Sequence, residues 1–156
     1  MKVVDFLAPD AVIPALASTT KAEVLAEMAA FIAQNQGGRT AIDAEVLRRA
    51  LEEREQLAST AFGNGVAIPH GKLDGIDRLV GALGRSQVGL DFDSFDGKPT
   101  HLVFVLVTPA SSAVLHLEAL RRLSVLFHNA AFRERLCQAP DGATMYRTIV
   151  QEDAKN

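Results

Sequence analysis

The side chain best placed for chemistry in this sequence is that of His70. It follows residues 66–68, a short apolar segment predicted to be a buried strand that ends at Pro69. The sequence Gly-Asn-Gly at 63–65 tolerates positive φ angles and predicts a turn beside the histidine. A neutral imidazole is a good nucleophile near pH 7, and its phosphorylated nitrogen is a good phosphoryl donor. The imidazole of His70 is therefore suited to accept a phosphoryl group and to pass it on.

Arg54 is the cation predicted to stabilise that phosphoryl group. It lies sixteen residues before His70, on a helical stripe that also holds Leu47, Leu51 and Ala58. A guanidinium keeps its charge when it is desolvated, and phosphoryl transfer depends mainly on positioning and on cationic stabilisation. The alternative is a structural ion pair with a local carboxylate.

His116 is the third candidate, predicted in the first turn of a helix. There the helix dipole disfavours the imidazolium, and free backbone N–H groups can face a phosphate. A histidine that merely packs in the core is the alternative. Ser59 and Thr60 could donate hydroxyl hydrogen bonds to the phosphoryl oxygens or could cap the loop; both interpretations stay open, and Thr60 is the favoured donor.

Other kinds of site are disfavoured by spacing. The four histidines lack metal-ligand spacing and a flanking cysteine pair, so no metal is predicted; His101 and His128 are expected to be surface or packing residues. No glycine elbow surrounds Ser59, and Cys137 lies in a segment typical of a packing helix. No Lys-Ser or Lys-Thr follows the Gly-Asn-Gly turn, so it is not a nucleotide-binding loop. His70-Gly71 is similar to the Arg-His-Gly start of the phosphohistidine mutases and phosphatases, but in this sequence Pro69 stands where those enzymes have the arginine. This difference disfavours a mutase or phosphatase.

The elements that must position these residues alternate between strand and helix. Predicted strands cover 12–17, 66–68 and 102–107, with weaker candidates at 79–83 and 90–92, and a turn is predicted at Asp96-Gly97. The first predicted helix is capped by Thr20, runs to about Gln34 and is ended by Gly37-Gly38, and a second begins near Asp43. A third covers 113–128 and is capped by Ser111 or Ser112. Two shorter helices are predicted over 131–138 and 143–150. This order predicts an α/β fold with one mixed sheet flanked by helices.

Composition indicates one globular domain and disfavours nucleic acid as a partner. The chain has 156 residues, 16 Lys plus Arg and 19 Asp plus Glu, a net charge of -3, and no basic block that would favour nucleic acid. Its single cysteine fits a reducing compartment. The longest apolar run, 102–107, is too short to span a bilayer, and no signal peptide is evident. A cytoplasmic protein without membrane insertion is expected.

The stretch from Arg54 to Lys72 resembles the active-site signature of enzyme IIA of the mannitol–fructose class in the bacterial phosphotransferase system, especially its nitrogen-related branch. Arg-Glu, Ser-Thr, Gly-x-Gly and Ala-Ile-Pro-His-Gly follow one another at the spacing of that family. Residues 18–21, 96–99 and 116–117 are similar to further family landmarks. The sequence departs from the family pattern at Ala61, Phe62 and Lys72, which bears on the shape of the loop and on partner preference.

The resemblance implies a single type 2 enzyme IIA domain over residues 1–156, with a core at about 5–150 and a five-stranded mixed sheet. It implies phosphorylation of His70 on the ε nitrogen, stabilisation by Arg54 and His116, and no dissociable cofactor. The implied donor is a histidine-containing phosphocarrier protein charged by enzyme I from phosphoenolpyruvate. Because no fused IIB domain or permease is present in the sequence, a nitrogen-related regulatory role with target proteins is expected. A sugar-specific enzyme IIA that donates to a IIB cysteine, or a purely regulatory binding module, are the alternatives.

Overall fold

A mixed sheet of six strands supports the helices that carry the candidate residues. The computed structural model describes residues 1–35 and 41–156. The strands are β1 (Leu7–Ile13), β2 (Ala61–Gly63), β3 (Val66–Ala67), β4 (His70–Leu73), β5 (Val80–Leu90) and β6 (Thr100–Pro109). The helices are α1 (Lys21–Gln34), α2 (Ala44–Leu57), α3 (Ala113–His128), α4 (Ala130–Gln138) and α5 (Gly142–Lys155), and a 3-10 turn covers Val3–Asp5.

Strand β6 is the centre of the sheet. The strands lie in the order β1-β5-β6-β3-β2, and β4 pairs with β6 next to β3. The β5–β6 and β2–β3 pairs are antiparallel, whereas β1–β5, β3–β6 and β4–β6 are parallel. This confirms the predicted mixed α/β sheet, with six strands where about five were expected. The side chains of residues 102–107 on β6 are buried, as the apolar run predicted.

The first strand lies earlier in the chain than the sequence suggested. The prediction of a strand over 12–17 is wrong, because β1 covers Leu7–Ile13 and ends just before Pro14. Pro9 interrupts the apolar pattern inside β1. Proline is tolerated there because β1 lies at the edge of the described sheet, where it pairs with β5 in an irregular register.

Further strand predictions also need correction. The two weak candidates at 79–83 and 90–92 are replaced by one long strand, β5, whose glycines and Arg85 break the apolar pattern. Strands β2 and β4 were not predicted, because three or four residues show no readable period. The predicted strand at 66–68 is confirmed as β3, and a separate strand, β4, begins just after Pro69; both pair with β6.

The predicted helices are confirmed, with their caps. Thr20, Asp43 and Ser112 accept backbone hydrogen bonds at the starts of α1, α2 and α3. Helix α5 runs to Lys155, beyond the expected end at 150. The end of α1 predicted at Gly37-Gly38 lies outside the described residues.

Candidate functional site

His70 is the first residue of β4, where β4 begins to pair with Leu106 of β6. The half-buried imidazole places Nδ1 2.8 Å from the backbone oxygen of Ile68. A carbonyl oxygen can only accept, so Nδ1 must carry the proton and donate it. The neutral ring therefore has its free lone pair on Nε2, which is the nitrogen that can attack phosphorus.

Arg54 reaches that same nitrogen from α2. Its Nε donates a hydrogen bond of 3.1 Å to His70 Nε2, and because a guanidinium has no acceptor atoms, this contact independently requires a lone pair on Nε2. The Nη1 group donates to the oxygen of Ala58 at 2.9 Å, just after the last turn of α2. Within the part of the chain that the structure describes, Nη2 makes no hydrogen bond or ion pair. Arg54 thus holds the nucleophile and keeps N–H donors available for an anion.

Gly71 allows α2 to lie this close to β4. A Cβ atom at Gly71 would be 3.2 Å from the Cβ of Ala50, so α2 would have to move by a few tenths of an ångström to accommodate it. The glycine that follows His70 therefore fixes the distance between the helix of Arg54 and the strand of His70.

His116 lies beside His70, in the first turn of α3. The two ring centroids are 5.1 Å apart, and the ring planes meet at 61°. The side chain is buried, and its Nδ1 lies 2.9 Å from the hydroxyl oxygen of Thr108 on β6. Helices α2 and α3 and strand β4 thus bring together three candidate residues from separate segments of the sequence: Arg54, His70 and His116.

Both imidazoles favour the neutral form. Burial is the main cause that lowers the pKa of His70 from its ordinary value, and the positive charges of Arg54 and Lys72 act in the same direction, against the Ile68 hydrogen bond and the charge of Glu55. Burial, followed by the charges of His70, Lys72 and Arg54, lowers the pKa of His116 to about 4. Neutral rings keep His70 nucleophilic at neutral pH.

Ser59 and Thr60 lie next to the site, but their hydroxyl groups are engaged by the protein. Ser59 Oγ donates to the oxygen of Phe92 at 2.6 Å, and Thr60 Oγ1 donates to the carboxylate of Glu55. Of the two interpretations left open by the sequence, these contacts favour loop capping over phosphate binding.

Glu55 is the residue near the site to which sequence reasoning assigned no role. It is buried, accepts the Thr60 backbone N–H at 2.7 Å and forms an ion pair of 2.9 Å with Lys21. The Thr60 carbonyl in turn accepts from the N–H of Ile68 at 3.0 Å, so Glu55 anchors the loop whose Ile68 oxygen holds His70. The available signal was helical spacing, because Leu47, Leu51 and Glu55 form the buried stripe, whereas Arg54 is half-buried at its edge and Ala58 is exposed.

The remaining histidines lie away from these contacts. His101 is half-buried on β6, with Nδ1 2.9 Å from the oxygen of Ser86, and His128 is exposed at the end of α3. Within residues 1–35 and 41–156, no group of three His, Cys, Asp or Glu side chains is arranged to hold a metal ion. No helix in these same ranges is long and apolar enough to cross a membrane.

Comparison with known proteins decides the family. Residues 5–152 match the family described as phosphoenolpyruvate-dependent sugar phosphotransferase system, EIIA 2. The chain belongs to this family. It is therefore an enzyme IIA phosphoryl carrier, which transfers the group through a phosphohistidine.

Relatives and solved structures of this enzyme IIA agree with the family. The chain is 37% identical over 149 residues to a nitrogen regulatory protein of Bradyrhizobium diazoefficiens, covering 96% of this chain and 95% of that one. The crystal structure of nitrogen regulatory protein IIA-Ntr from Neisseria meningitidis superposes with a TM-score of 0.86 at 27% identity, covering 94% of this chain and 98% of that one. The fold is also that of Escherichia coli enzyme IIA for mannitol in complex with phosphorylated enzyme IIB, with a TM-score of 0.73, 16% identity and coverage of 90% and 94%.

Proposed function

We propose that this enzyme IIA accepts a phosphoryl group on Nε2 of His70 from a histidine-containing phosphocarrier protein and acts as a nitrogen-related regulator. The observation that carries the first part is the pair of hydrogen bonds on His70. Ile68 holds the proton on Nδ1, and Arg54 contacts the lone pair on Nε2. No cofactor takes part in this scheme, and residues 1–156 act as one cytoplasmic enzyme IIA domain.

Transfer to His70 needs no proton to leave the ring. As the lone pair of Nε2 attacks phosphorus, the bond from phosphorus to the donor's histidine breaks on the opposite side. Positive charge that develops on the His70 ring is stabilised at Nδ1–H by the Ile68 oxygen. Arg54 loses Nε2 as an acceptor when the new bond forms, and its N–H groups turn to the phosphoryl oxygens.

A phosphocarrier has a suitable docking surface around this site. Exposed apolar side chains lie near the site segments: Leu57 at the end of α2, Phe95 in the β5–β6 loop, whose ring lies over Gly63, and Val114 and Leu117 near the start of α3. The phosphohistidine of the phosphocarrier must come into line with His70. The phosphocarrier surface around that phosphohistidine is therefore expected to contact these apolar side chains. With a net charge of -3 overall, docking depends on this apolar rim more than on long-range attraction.

Regulation follows from the charge that transfer adds. A phosphoryl group brings nearly two negative charges at pH 7 into a half-buried site between Arg54 and His116. This change is large enough to create or abolish a docking surface for target proteins. The likeness to the Bradyrhizobium nitrogen regulatory protein supports this role.

The test of the regulatory role is a comparison of captured partners. Parent protein phosphorylated by phosphoenolpyruvate, enzyme I and the phosphocarrier is compared with His70→Ala as bait in cytoplasm from the source cell. His101→Ala, phosphorylated in the same way, serves as the control histidine variant. We expect target proteins that bind only one of the two forms of the site, and His101→Ala should capture the same set as the phosphorylated parent.

Recovery of sugar-specific IIB proteins alone, together with loss of sugar uptake when the protein is deleted, would contradict the regulatory role. That outcome would favour a sugar-specific enzyme IIA and leave the chemistry at His70 unchanged.

A further inference from the structure

Thr108 is a buried polar residue at the site to which the chemistry above gives no task. It lies on β6, opposite Lys72 of β4, and its side chain is fully buried. Its hydroxyl oxygen is 2.9 Å from Nδ1 of His116 and 3.5 Å from the backbone oxygen of Gly71.

These distances decide which way the hydroxyl points. A hydroxyl has one proton to donate. If His116 donated from Nδ1, that proton would be left with the Gly71 oxygen at 3.5 Å, whereas a good O–H donor lies about 2.5–3.0 Å from an oxygen acceptor. The proton goes to Nδ1 of His116. A neutral imidazole that accepts on Nδ1 must carry its own proton on Nε2. The low pKa of His116 keeps the ring neutral, so this tautomer persists at neutral pH.

Nε2 of His116 is left for a partner that is not part of the protein. Among the described residues it makes no hydrogen bond, although Nδ1 of the same ring does. It is also not fully enclosed, since in the described ranges Thr100 Oγ1 is the sole buried side-chain nitrogen or oxygen without a hydrogen-bond partner. The centroid of this ring lies 5.1 Å from that of His70, so the Nε2–H donor belongs to the ring that packs against the nucleophile.

We infer that Thr108 is a positioning residue, which fixes His116 as the Nε2–H tautomer so that His116 donates a hydrogen bond to the phosphoryl group at His70. This inference rests on the proposed function. The two adjacent histidines then hold opposite tautomers: His70 carries its proton on Nδ1 and attacks through Nε2, whereas His116 accepts on Nδ1 and donates through Nε2. The opposite tautomer of His116 would direct a lone pair at the anion and repel it. No proton moves in this step.

The experiment compares Thr108→Val, which removes the hydroxyl at nearly constant volume, with Thr108→Ser, which keeps it. The matched control is Thr148→Val, because Thr148 is also a buried threonine but donates to a helix carbonyl in α5. Nitrogen-15 NMR of the imidazoles in unphosphorylated protein reports the tautomer, and single-turnover transfer from the phosphocarrier reports the rate.

We expect the parent spectrum to show the Nε2–H tautomer for His116 and the Nδ1–H tautomer for His70. Thr108→Val should lose the uniform His116 tautomer and transfer about tenfold or more slowly, which is the effect of one hydrogen bond to a charged group. Thr108→Ser and Thr148→Val should keep the parent tautomer and nearly the parent rate.

The outcomes separate this inference from the function on which it rests. An Nδ1–H tautomer for His116 in the parent overturns the inference alone, even if Thr108→Val fails to fold. A parent rate in a folded Thr108→Val variant overturns it as well. Absence of a phosphoryl group on His70 in the parent overturns the proposed function and the inference together.

Discussion

His70 and His101 are held by the same kind of hydrogen bond, yet only one of them lies in a reactive setting. Each is half-buried, and each ring has Nδ1 within 2.9 Å of a backbone oxygen, that of Ile68 or Ser86. The difference lies at the other nitrogen. Nε2 of His70 meets Arg54, and a second imidazole packs against the ring, whereas Nε2 of His101 has no hydrogen-bond partner among the described residues.

An arginine lies near His101 too, but it is used differently. Arg85 and His101 line the same cavity of about 490 Å³. The guanidinium of Arg85 is buried and donates to the backbone oxygens of Pro14, Leu136, Cys137 and Ala139. The proposed assignment of His70 therefore rests on more than a fixed tautomer and a nearby arginine: the cation contacts the nucleophilic nitrogen and keeps donors free.

The largest expected difference between the two regions is in the phosphoryl label itself. His70→Ala should abolish the acid-labile, base-stable label acquired from phosphoenolpyruvate, enzyme I and the phosphocarrier, because among the described residues no other histidine has its Nε2 lone pair in contact with an arginine. His101→Ala should accept one phosphoryl group at the parent rate. Intact mass spectrometry under alkaline conditions measures both. A label retained in His70→Ala would show that the comparison of the two histidines is wrong.

The two arginines should separate rate from stability. Arg54→Lys should slow single-turnover transfer by roughly tenfold to a hundredfold, since an ammonium cannot reproduce the planar fork that contacts Nε2, the Ala58 oxygen and the phosphoryl group. Arg85→Lys should transfer at the parent rate but lose about 1–3 kcal/mol of unfolding free energy, because one ammonium cannot satisfy four carbonyls. Stopped-flow transfer and urea denaturation measure the two effects. Equal transfer rates for Arg54→Lys and the parent would remove Arg54 from the mechanism.

The smallest effects concern titration. Since burial lowers the pKa of His70 below its ordinary value of 6.5 and that of His116 to about 4, both rings should remain neutral at pH values where a free imidazole takes up a proton. The unfolded chain binds those protons near 6.5 and the folded chain does not. The contribution of these two neutral histidines to the free energy of unfolding is therefore present above about pH 6.5 and is lost as the pH falls below that value.

Nitrogen-15 NMR titration of the folded protein checks these values directly. The His70 ring faces Arg54, Glu55, Lys72 and His116, so the same titration in Arg54→Met should show a smaller depression of the His70 pKa. A His70 midpoint at or above 6.5 in the parent would contradict the environment described for the site.

Sequence reasoning could predict the residues at the centre of the site but not what holds them. His70, Arg54 and His116 carry signals in their types and in their positions on a strand end, a helical stripe and a helix start. The Ile68 oxygen carries none, because every residue has a backbone carbonyl and nothing in the residue type shows that this one lies against Nδ1. Thr108 ends an apolar run and looks like any strand residue until β6 lies beside α3.

The fold was predictable for the helices and for strands β3 and β6, and less so for the other strands. Helices α1, α2 and α3 show a full helical period and recognisable caps, so their positions followed from local chemistry. Strands β2, β3 and β4 contain two to four residues each, and their pairing with β6 or with one another depends on contacts distant in sequence. Strand β1 was misplaced for a related reason, since its edge position tolerates a proline that the pattern disfavours.

The central claim is that the phosphoryl group resides on Nε2 of His70. The most direct measurement is a nitrogen-15 and phosphorus-31 correlation spectrum of the phosphorylated protein at alkaline pH, with the histidines assigned through His70→Ala and His116→Ala. We predict one phosphorus signal, coupled to Nε2 of His70, while His116 remains unmodified. Coupling to Nδ1 of His70, or to any nitrogen of His101, His116 or His128, would contradict the account.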